Sequence, residues 1–480
     1  MTAVESLEPA SLWTRFAELT RIARPSKQEE EARAWVFTWA DARAYEATTD
    51  TVGNVVVRVP ASTGREGAPA VVVQAHLDMV CERDPASPFD PREGRIDVRV
   101  DGDWVWAEGT TLGADNGIGV AAALAAADDA DVEHGPLELL FTVSEEQGLD
   151  GAKALEPALV SGRILLNLDG TSDEALTVGC AGSDHTLLRV PLGYEPVPAG
   201  RAGLRVTLSG AKGGHSGGDI AAGRVNAIKA LGRVLAASFA ESPFGLVSLD
   251  GGASRNAIPR EASAVVAGID DAFRAAAERT LAAIIRQHAT TDGGLVLSFE
   301  PAPVTEASPE AATRRVLDVV ESVPSGVLAM SPMLPGTVET STSLTTAATQ
   351  DGVLTLGSMT RSSNATALDA ALATAEALAH LAGVEIEARR SYPPWEPEQG
   401  SSLLEAAKTT YARLFGVEPK LALVHGGLEC AVLGQRLPGV EMISIGPEIV
   451  GPHAPGERVR VSSTQRFYRL LGALLDDLSR

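Results

Sequence analysis

TTLGADNGIGVAAALAAADDA, residues 110–130, runs from a glycine-flanked acid and amide straight into an alanine-rich segment of helix-forming composition. Short, apolar, partly β-branched runs stand on either side: PAVVVQA (69–75) before it, LELLFTV (137–143) and RILLNL (163–168) after it. Such runs predict buried strands, and strands alternating with helices predict a largely parallel sheet covered by helices. Asp115 and Asn116 then stand at the mouth of a helix, between Gly113 and Gly117. That is a cramped place for two polar side chains.

Working outward, the texture changes at GSDHTLLRVPLGYEPVPAG (182–200) and again at EIEARRSYPPWEPEQG (385–400), both rich in proline and charge or glycine. Between these breaks LRVTLSG and SAVVAGI alternate like half-buried strands, while VNAIKALGRVLAAS and AFRAAAERTLAAIIRQ are amphipathic helices. After them SLLEAAKTTYARLFG reads as a helix and VEMISIG as a strand, and SSTQ (462–465) fits a capping box opening a last helix. The expected architecture is a discontinuous α/β domain, 1–182 plus 391–480, with an α+β domain, 183–390, inserted and long enough to hold two small α+β units.

Composition narrows the function. The 480 residues are 45% hydrophobic, ample for real cores, and carry a formal net charge of −23. A surface of that sign repels phosphates, so a nucleic-acid partner is excluded. Cys81, Cys180 and Cys430 are odd in number and lack CxxC spacing, which argues against a disulfide framework. The start has no basic stretch followed by an apolar one, and no long apolar run occurs, so the expected setting is cytoplasmic with no membrane span.

The acids and histidines of the first and last segments fall directly after predicted strands. QAHLDMV places His76 and Asp78 at a strand end; FTVSEEQG places Glu145 and Glu146; LLNLDG places Asp169; MISIGPEIVGPH places His453 a short loop on. In an open α/β sheet these ends share the edge where ligands bind. Histidines with carboxylates and no usable cysteine suit zinc, manganese or cobalt. Two such ions need one bridging carboxylate with terminal ligands for each, and Asp115 is the best candidate for the bridge, its glycines letting the backbone come close. A strained or cis Asp115–Asn116 peptide fits there. One of the two adjacent glutamates could ligate a metal while the other accepts a proton from the attacking water, and Asp78 could fix the His76 tautomer.

The stretches HLDMV, TTLGADNGIG, TVSEEQGLDG, LNLDG, GCAGS, GGHSGGDI, RNAIP, HGGLEC and SIGPEIVGPHAPGE together resemble the aminoacyl-histidine (Xaa-His) dipeptidases of the M20 metallopeptidase family, from ARPSKQEEEA near residue 23 to the last helix. The resemblance implies hydrolysis of unblocked dipeptides of the Xaa-His type, β-alanyl-histidine among them. It implies that His76 and Asp169 hold one metal, zinc by expectation, that Glu146 and His453 hold a second, and that Asp115 bridges them. Glu145 becomes the general base, Asp78 the orienter of His76, and the middle domain a lid whose His215 steadies the scissile carbonyl. Little is recognisable between about 265 and 335. Asn256, Arg255 and Arg361 are candidates for gripping a substrate carboxylate, Glu429 and His425 for facing its amine. The lid's length suggests that His215 acts in cis, so that a homodimer, if formed, is not needed to complete the site.

Other readings explain less. GHSGG (214–218) matches the G-x-S-x-G elbow of α/β-hydrolases with Ser216 as nucleophile, but leaves His76, Asp115, the glutamate pair and Asp169 without a role. A binding protein with an idle metal site would need a ligand or base to be lost, and none is. GADNGIG lacks the G-x-G-x-x-G spacing of a dinucleotide loop. The nearest alternative is a deacylase of the same family acting on N-acyl amino acids.

Overall fold

The computed structural model describes residues 3–198, 202–398 and 400–480. It divides into two compact units, Met1–Cys180 with Trp395–Leu423 and Leu428–Arg480, and Ala181–Pro394 with Val424–Gly427. The excursion of Val424–Gly427 out of the C-terminal segment into the second unit leaves no mark in composition.

The first unit is built on an eight-stranded sheet in the order Glu46–Thr49, Val55–Val59, Leu137–Thr142, Val71–His76, Ile164–Asn167, Glu441–Ser444, Ala175–Cys180, Lys420–Val424. The four central strands from Leu137–Thr142 to Glu441–Ser444 run parallel, with antiparallel pairs at the margins. Every residue of Val71–His76 and Leu137–Thr142 is buried, which is why these strands read as continuous apolar runs rather than alternating ones. The Ala114–Asp128 helix packs on the Val71–His76 strand and on the Ala10–Leu19 helix. Its alanines let these neighbours approach closely, and it is buried on nearly all sides. Because the central strands are parallel, their C-terminal ends lie on one edge, and His76 is the last residue of its strand.

The second unit forms one nine-stranded sheet rather than two separate small ones. Val296–Ala302, Gly203–Ser209, Ala262–Ala267 and Gly245–Gly251 make one half; Val338–Gln350, Val353–Ser362, Gly182–Pro191 and Glu385–Tyr392 make the other, with Gly326–Met330 paired onto Val338–Gln350. The halves join at a single register pair, Gly251 with Ala347, reinforced by Leu249 donating to Thr349 Oγ1. Their cores are continuous, since Leu246, Leu249, Leu344 and Leu356 belong to one buried cluster.

The capping box expected at 462–465 does not form. Arg460 stands at the N-cap of the Val461–Leu478 helix without a side-chain cap, and Ser462 is the second helical residue. Asp103, from the turn before the Trp104–Ala107 strand, accepts from the Ser462 N–H and hydroxyl instead. A carboxylate supplied through tertiary structure satisfies the helix's first donors as well as a local serine would. Cys81, Cys180 and Cys430 are free, and among the described residues no helix is long and apolar enough to cross a membrane.

Candidate active site

Four strand ends and one helix start converge in the first unit. Asp115 lies in the first turn of the Ala114–Asp128 helix, where its φ of −80° and ψ of 110° are non-helical and its peptide bond to Asn116 is cis. Its two carboxylate oxygens face different histidines: Oδ1 is 3.1 Å from His76 Nε2 and Oδ2 is 3.3 Å from His453 Nε2. On the His76 side Asp169 Oδ1 lies 3.7 Å from Nε2; on the His453 side Glu146 Oε2 lies 3.0 Å from Nε2. His76, Asp115 and Glu146 present ligand atoms all within 4.8 Å of one another. His453 sits in a left-handed backbone conformation, φ 65°, uncommon for a residue other than glycine.

This donor set fits divalent cations. It is all nitrogen and oxygen, it splits into two half-sites sharing Asp115, and Glu146 Oε1 is buried with no hydrogen-bond partner. The electrostatics agree. Hydrogen bonds from the two imidazoles hold the Asp115 carboxyl far below its usual range against the effect of burial. Those to Asp115 and Glu146 push His453 up to about 11. A pocket that draws its own histidines toward the cationic form attracts positive charge.

Asp78 is fully buried and links several loops. Its Oδ1 is 3.4 Å from His76 Nδ1, and its carboxylate accepts from the Glu145 N–H at 3.0 Å, the Glu146 N–H at 3.2 Å and the Ser26 hydroxyl at 2.6 Å. Its carboxylate thus faces the imidazole, whose Nδ1 lies 3.1 Å from the Asp78 carbonyl oxygen, and ties down the turn carrying both glutamates. Glu145 is pushed well above the usual carboxyl range by burial, then by Glu146, Asp169 and Glu429, with His76 opposing.

Two buried charges without a sequence-derived role complete the frame. Arg24 is wholly enclosed and donates to the carbonyls of Leu77 and Asp78, both at 2.9 Å, and of Gly113 at 2.6 Å, tying the His76 loop to the Asp115 loop. Glu457 accepts from the backbone N–H groups of Leu112 at 2.8 Å, Gly113 at 2.9 Å and Asp115 at 3.1 Å, tying the Asp115 loop to the segment after His453. The glycines flanking Asp115 answer to Arg24: a Cβ on Gly113 would lie 2.4 Å from Arg24 Nη2, and one on Gly117 2.8 Å from the same atom. They make room for a guanidinium, a different close approach from the one expected at the metals. Charged residues in ARPSKQEEEA and APGE were the available signal, but nothing in either stretch announces burial.

Glu429 is fully buried in the first unit, its Oε2 accepting from Gln74 at 2.5 Å and Thr142 at 2.7 Å while Oε1 has no partner. Burial raises its carboxyl to about 7.

The second unit holds its own polar cluster. His215 lies in a glycine-rich turn bridged to Ala257, and its Nδ1 accepts from the N–H groups of Gly217 at 3.3 Å and Gly218 at 2.9 Å. A neutral ring whose Nδ1 accepts carries its proton on Nε2, which makes that atom a donor. Arg361 is buried and donates to Tyr392 Oη at 3.0 Å and Asn256 Oδ1 at 3.2 Å, while Arg255 is exposed. His425 Nε2 is 2.7 Å from Ser341 Oγ, and burial, then Arg361 and His215, lowers its pKa to about 4. Ser341 and Tyr392 carried no sequence signal. Ser216 Oγ is buried with no hydrogen-bond partner, so it lacks the neighbouring base that a serine nucleophile requires.

The chain as a whole resembles known proteins. The model of peptidase family M20/M25/M40 matches residues 72–477. The chain belongs to that family. Within it, the chain is 37% identical to the cytosol non-specific dipeptidase of Escherichia coli over 482 aligned positions, covering 100% of this chain and 99% of the other. The M20 fold recurs in the crystal structure of aminoacylhistidine dipeptidase from Vibrio alginolyticus, 35% identical, with a TM-score of 0.88 over 99% of this chain and 98% of that one. Aminopeptidase PepT of Bacillus cereus, 16% identical with a TM-score of 0.58 over 99% of this chain and 100% of that one, shares the fold.

Proposed function

We propose that this M20 peptidase is a metal-dependent dipeptidase acting on unblocked dipeptides, Xaa-His substrates such as β-alanyl-histidine among them, in the cytoplasm. The observation that carries the metal reading is Asp115, whose two oxygens face His76 and His453 from opposite sides at 3.1 and 3.3 Å. His76 and Asp169 would hold one divalent ion, Glu146 and His453 a second, and Asp115 both, with zinc the first choice and manganese or cobalt alternatives. When bound, such a pair polarises the substrate carbonyl and acidifies the attacking water.

The chain's own residues supply the rest. Glu145, held by the Asp78 bond to its backbone, takes the water's proton on its carboxylate and returns it to the leaving amine. Asp78 fixes His76, and Arg24 and Glu457 fix the loop that presents Asp115. His215 donates from Nε2 to the oxygen of the reacting carbonyl. Arg361 with Asn256 and the exposed Arg255 grip the substrate carboxylate, and His425 with Glu429 serve the amine end.

The names of the two dipeptidase relatives support a dipeptide substrate, and the name of the Vibrio protein supports histidine as the second residue. The test is a screen of unblocked dipeptides, N-acetylated dipeptides and N-acyl amino acids against the zinc-loaded and manganese-loaded protein. Turnover confined to free-amine dipeptides is expected, with Xaa-His among the best. Faster turnover of N-acyl amino acids would overturn the dipeptidase reading in favour of a deacylase.

A further inference from the structure

The second unit contains a cleft of about 440 Å³ that the functional reading leaves unused. In a chain with 63 acidic and 40 basic residues, its lining includes Arg224, Lys229 and Arg233 and no Asp or Glu. Like charges gathered in one cleft repel unless something compensates them. Lys229 is compensated: its Nζ donates to the carbonyls of Val320, Glu321 and Val323 at 2.5, 2.7 and 2.8 Å, at the C-terminal end of the Glu310–Ser322 helix. Arg224 meets Asp219 Oδ1 at 3.0 Å. Arg233 is bonded to the neutral Gln287 amide at 3.0 Å. Ser343, also in the lining, is fully buried and its Oγ has no hydrogen-bond partner, whereas buried hydroxyls normally find one. Ile220, Ile258 and Ile284 supply apolar wall.

We propose that this cleft binds an organic anion, a carboxylate or phosphate group on a small apolar body. Arg233 makes the charge-assisted contact and the isoleucines cover the body. The volume is that of an ordinary small-molecule site.

The same wall carries the His215 turn. Arg224 Nη1 donates to Gly213 O at 2.6 Å, Asp219 Oδ2 accepts from the His215 N–H at 2.8 Å, and Ile258 pairs with Gly214 across the bridge beside His215. An occupant that immobilises Arg224 and Ile258 therefore steadies the turn. Any consequence for turnover rests on the proposed role of His215; binding and the steadying of the turn do not.

The test uses metal-free protein and three probes: inorganic phosphate, 4-methylpentanoate and 3-methylbutyl phosphate. Calorimetry should show saturable binding of at least one organic probe, weakened about tenfold by Arg233→Gln, the scale of a lost hydrogen bond to a charged group, and unchanged by Arg361→Met. Which probe binds tighter tells carboxylate from phosphate. Amide hydrogen exchange at residues 213–219 should slow when the organic probe binds. No saturable binding, or binding indifferent to Arg233→Gln, would overturn the site. Sensitivity to Arg361→Met instead would assign the probe to the Arg361 cluster and overturn it too. Phosphate binding as tightly as the organic probes would mean an adventitious ion only, and binding without slower exchange would refute the coupling. None of these readouts uses turnover, so failure of the dipeptidase reading is separately visible.

Discussion

Gly113→Ala separates two reasons for the glycine beside Asp115. If glycine is there so that backbone can approach bound metals, alanine should weaken metal binding and leave the metal-free protein intact. The structure gives a different reason. Gly113 has φ 69° and ψ 31°, a left-handed conformation that costs an alanine about 1–2 kcal/mol. The new Cβ would lie 2.4 Å from Arg24 Nη2, 2.7 Å from Met79 Sδ and 2.9 Å from Met79 Cε. Arg24 cannot swing away without breaking three buried hydrogen bonds, so overpacking adds about 1–3 kcal/mol. The reduced entropy of the unfolded chain returns about 0.4–1 kcal/mol. The net loss is roughly 2–4 kcal/mol, a fall of roughly 5–15 °C in the transition of a unit this size. Urea and thermal unfolding in the presence of a chelator measure it directly. In a double-mutant cycle with Arg24→Met, which removes Nη2, the two costs should fall short of additivity by about 1 kcal/mol or more. A metal-free Gly113→Ala protein within about 0.5 kcal/mol of the parent would refute the packing argument.

Chelation should abolish hydrolysis and added zinc, manganese or cobalt should restore it, while Ser216→Ala keeps substantial activity; turnover surviving exhaustive chelation would revive the serine reading. Glu145→Gln should retain two metals yet lose on the order of 10²-fold or more in turnover, whereas Glu146→Gln should lose one metal, and metal analysis showing equal loss in both would reverse the assignment. His425, with a pKa of about 4 in the fold against 6.5, refuses a proton that the unfolded chain accepts. Its contribution to stability is complete above pH 6.5 and falls away as pH drops toward 4, by roughly 3 kcal/mol in all. His425→Gln should remove that slope, and the difference between the two unfolding curves cancels the opposite slope of Glu429. His215→Ala should cut kcat by about 10²–10³ with both metals kept. Mixed with Glu145→Gln under subunit exchange, it should regain nothing if each site uses its own His215, and clear recovery would show sharing.

The sequence by itself determined the main elements and the polar residues that gather at one edge of the first sheet. Buried parallel strands such as Val71–His76 and Leu137–Thr142 announce themselves because both faces are apolar, and residues following parallel strands must share an edge whatever the details of packing. His76, Glu146 and His453 were legible for that reason, Asp115 from its glycine-flanked place at a helix start, and the structure brings them together. Tertiary structure alone decided which partners these residues have. Arg24 and Glu457 look like surface charges in one dimension, yet each is enclosed and satisfies three backbone groups far away in sequence. The Ser462 capping box failed for a related reason: a local hydrogen-bond pattern competes with every acceptor that folding brings near, and Asp103 won. Local sequence fixes which groups need partners, but a buried polar group is satisfied by whatever is nearest in space, and proximity in space is set only once the sheets have closed.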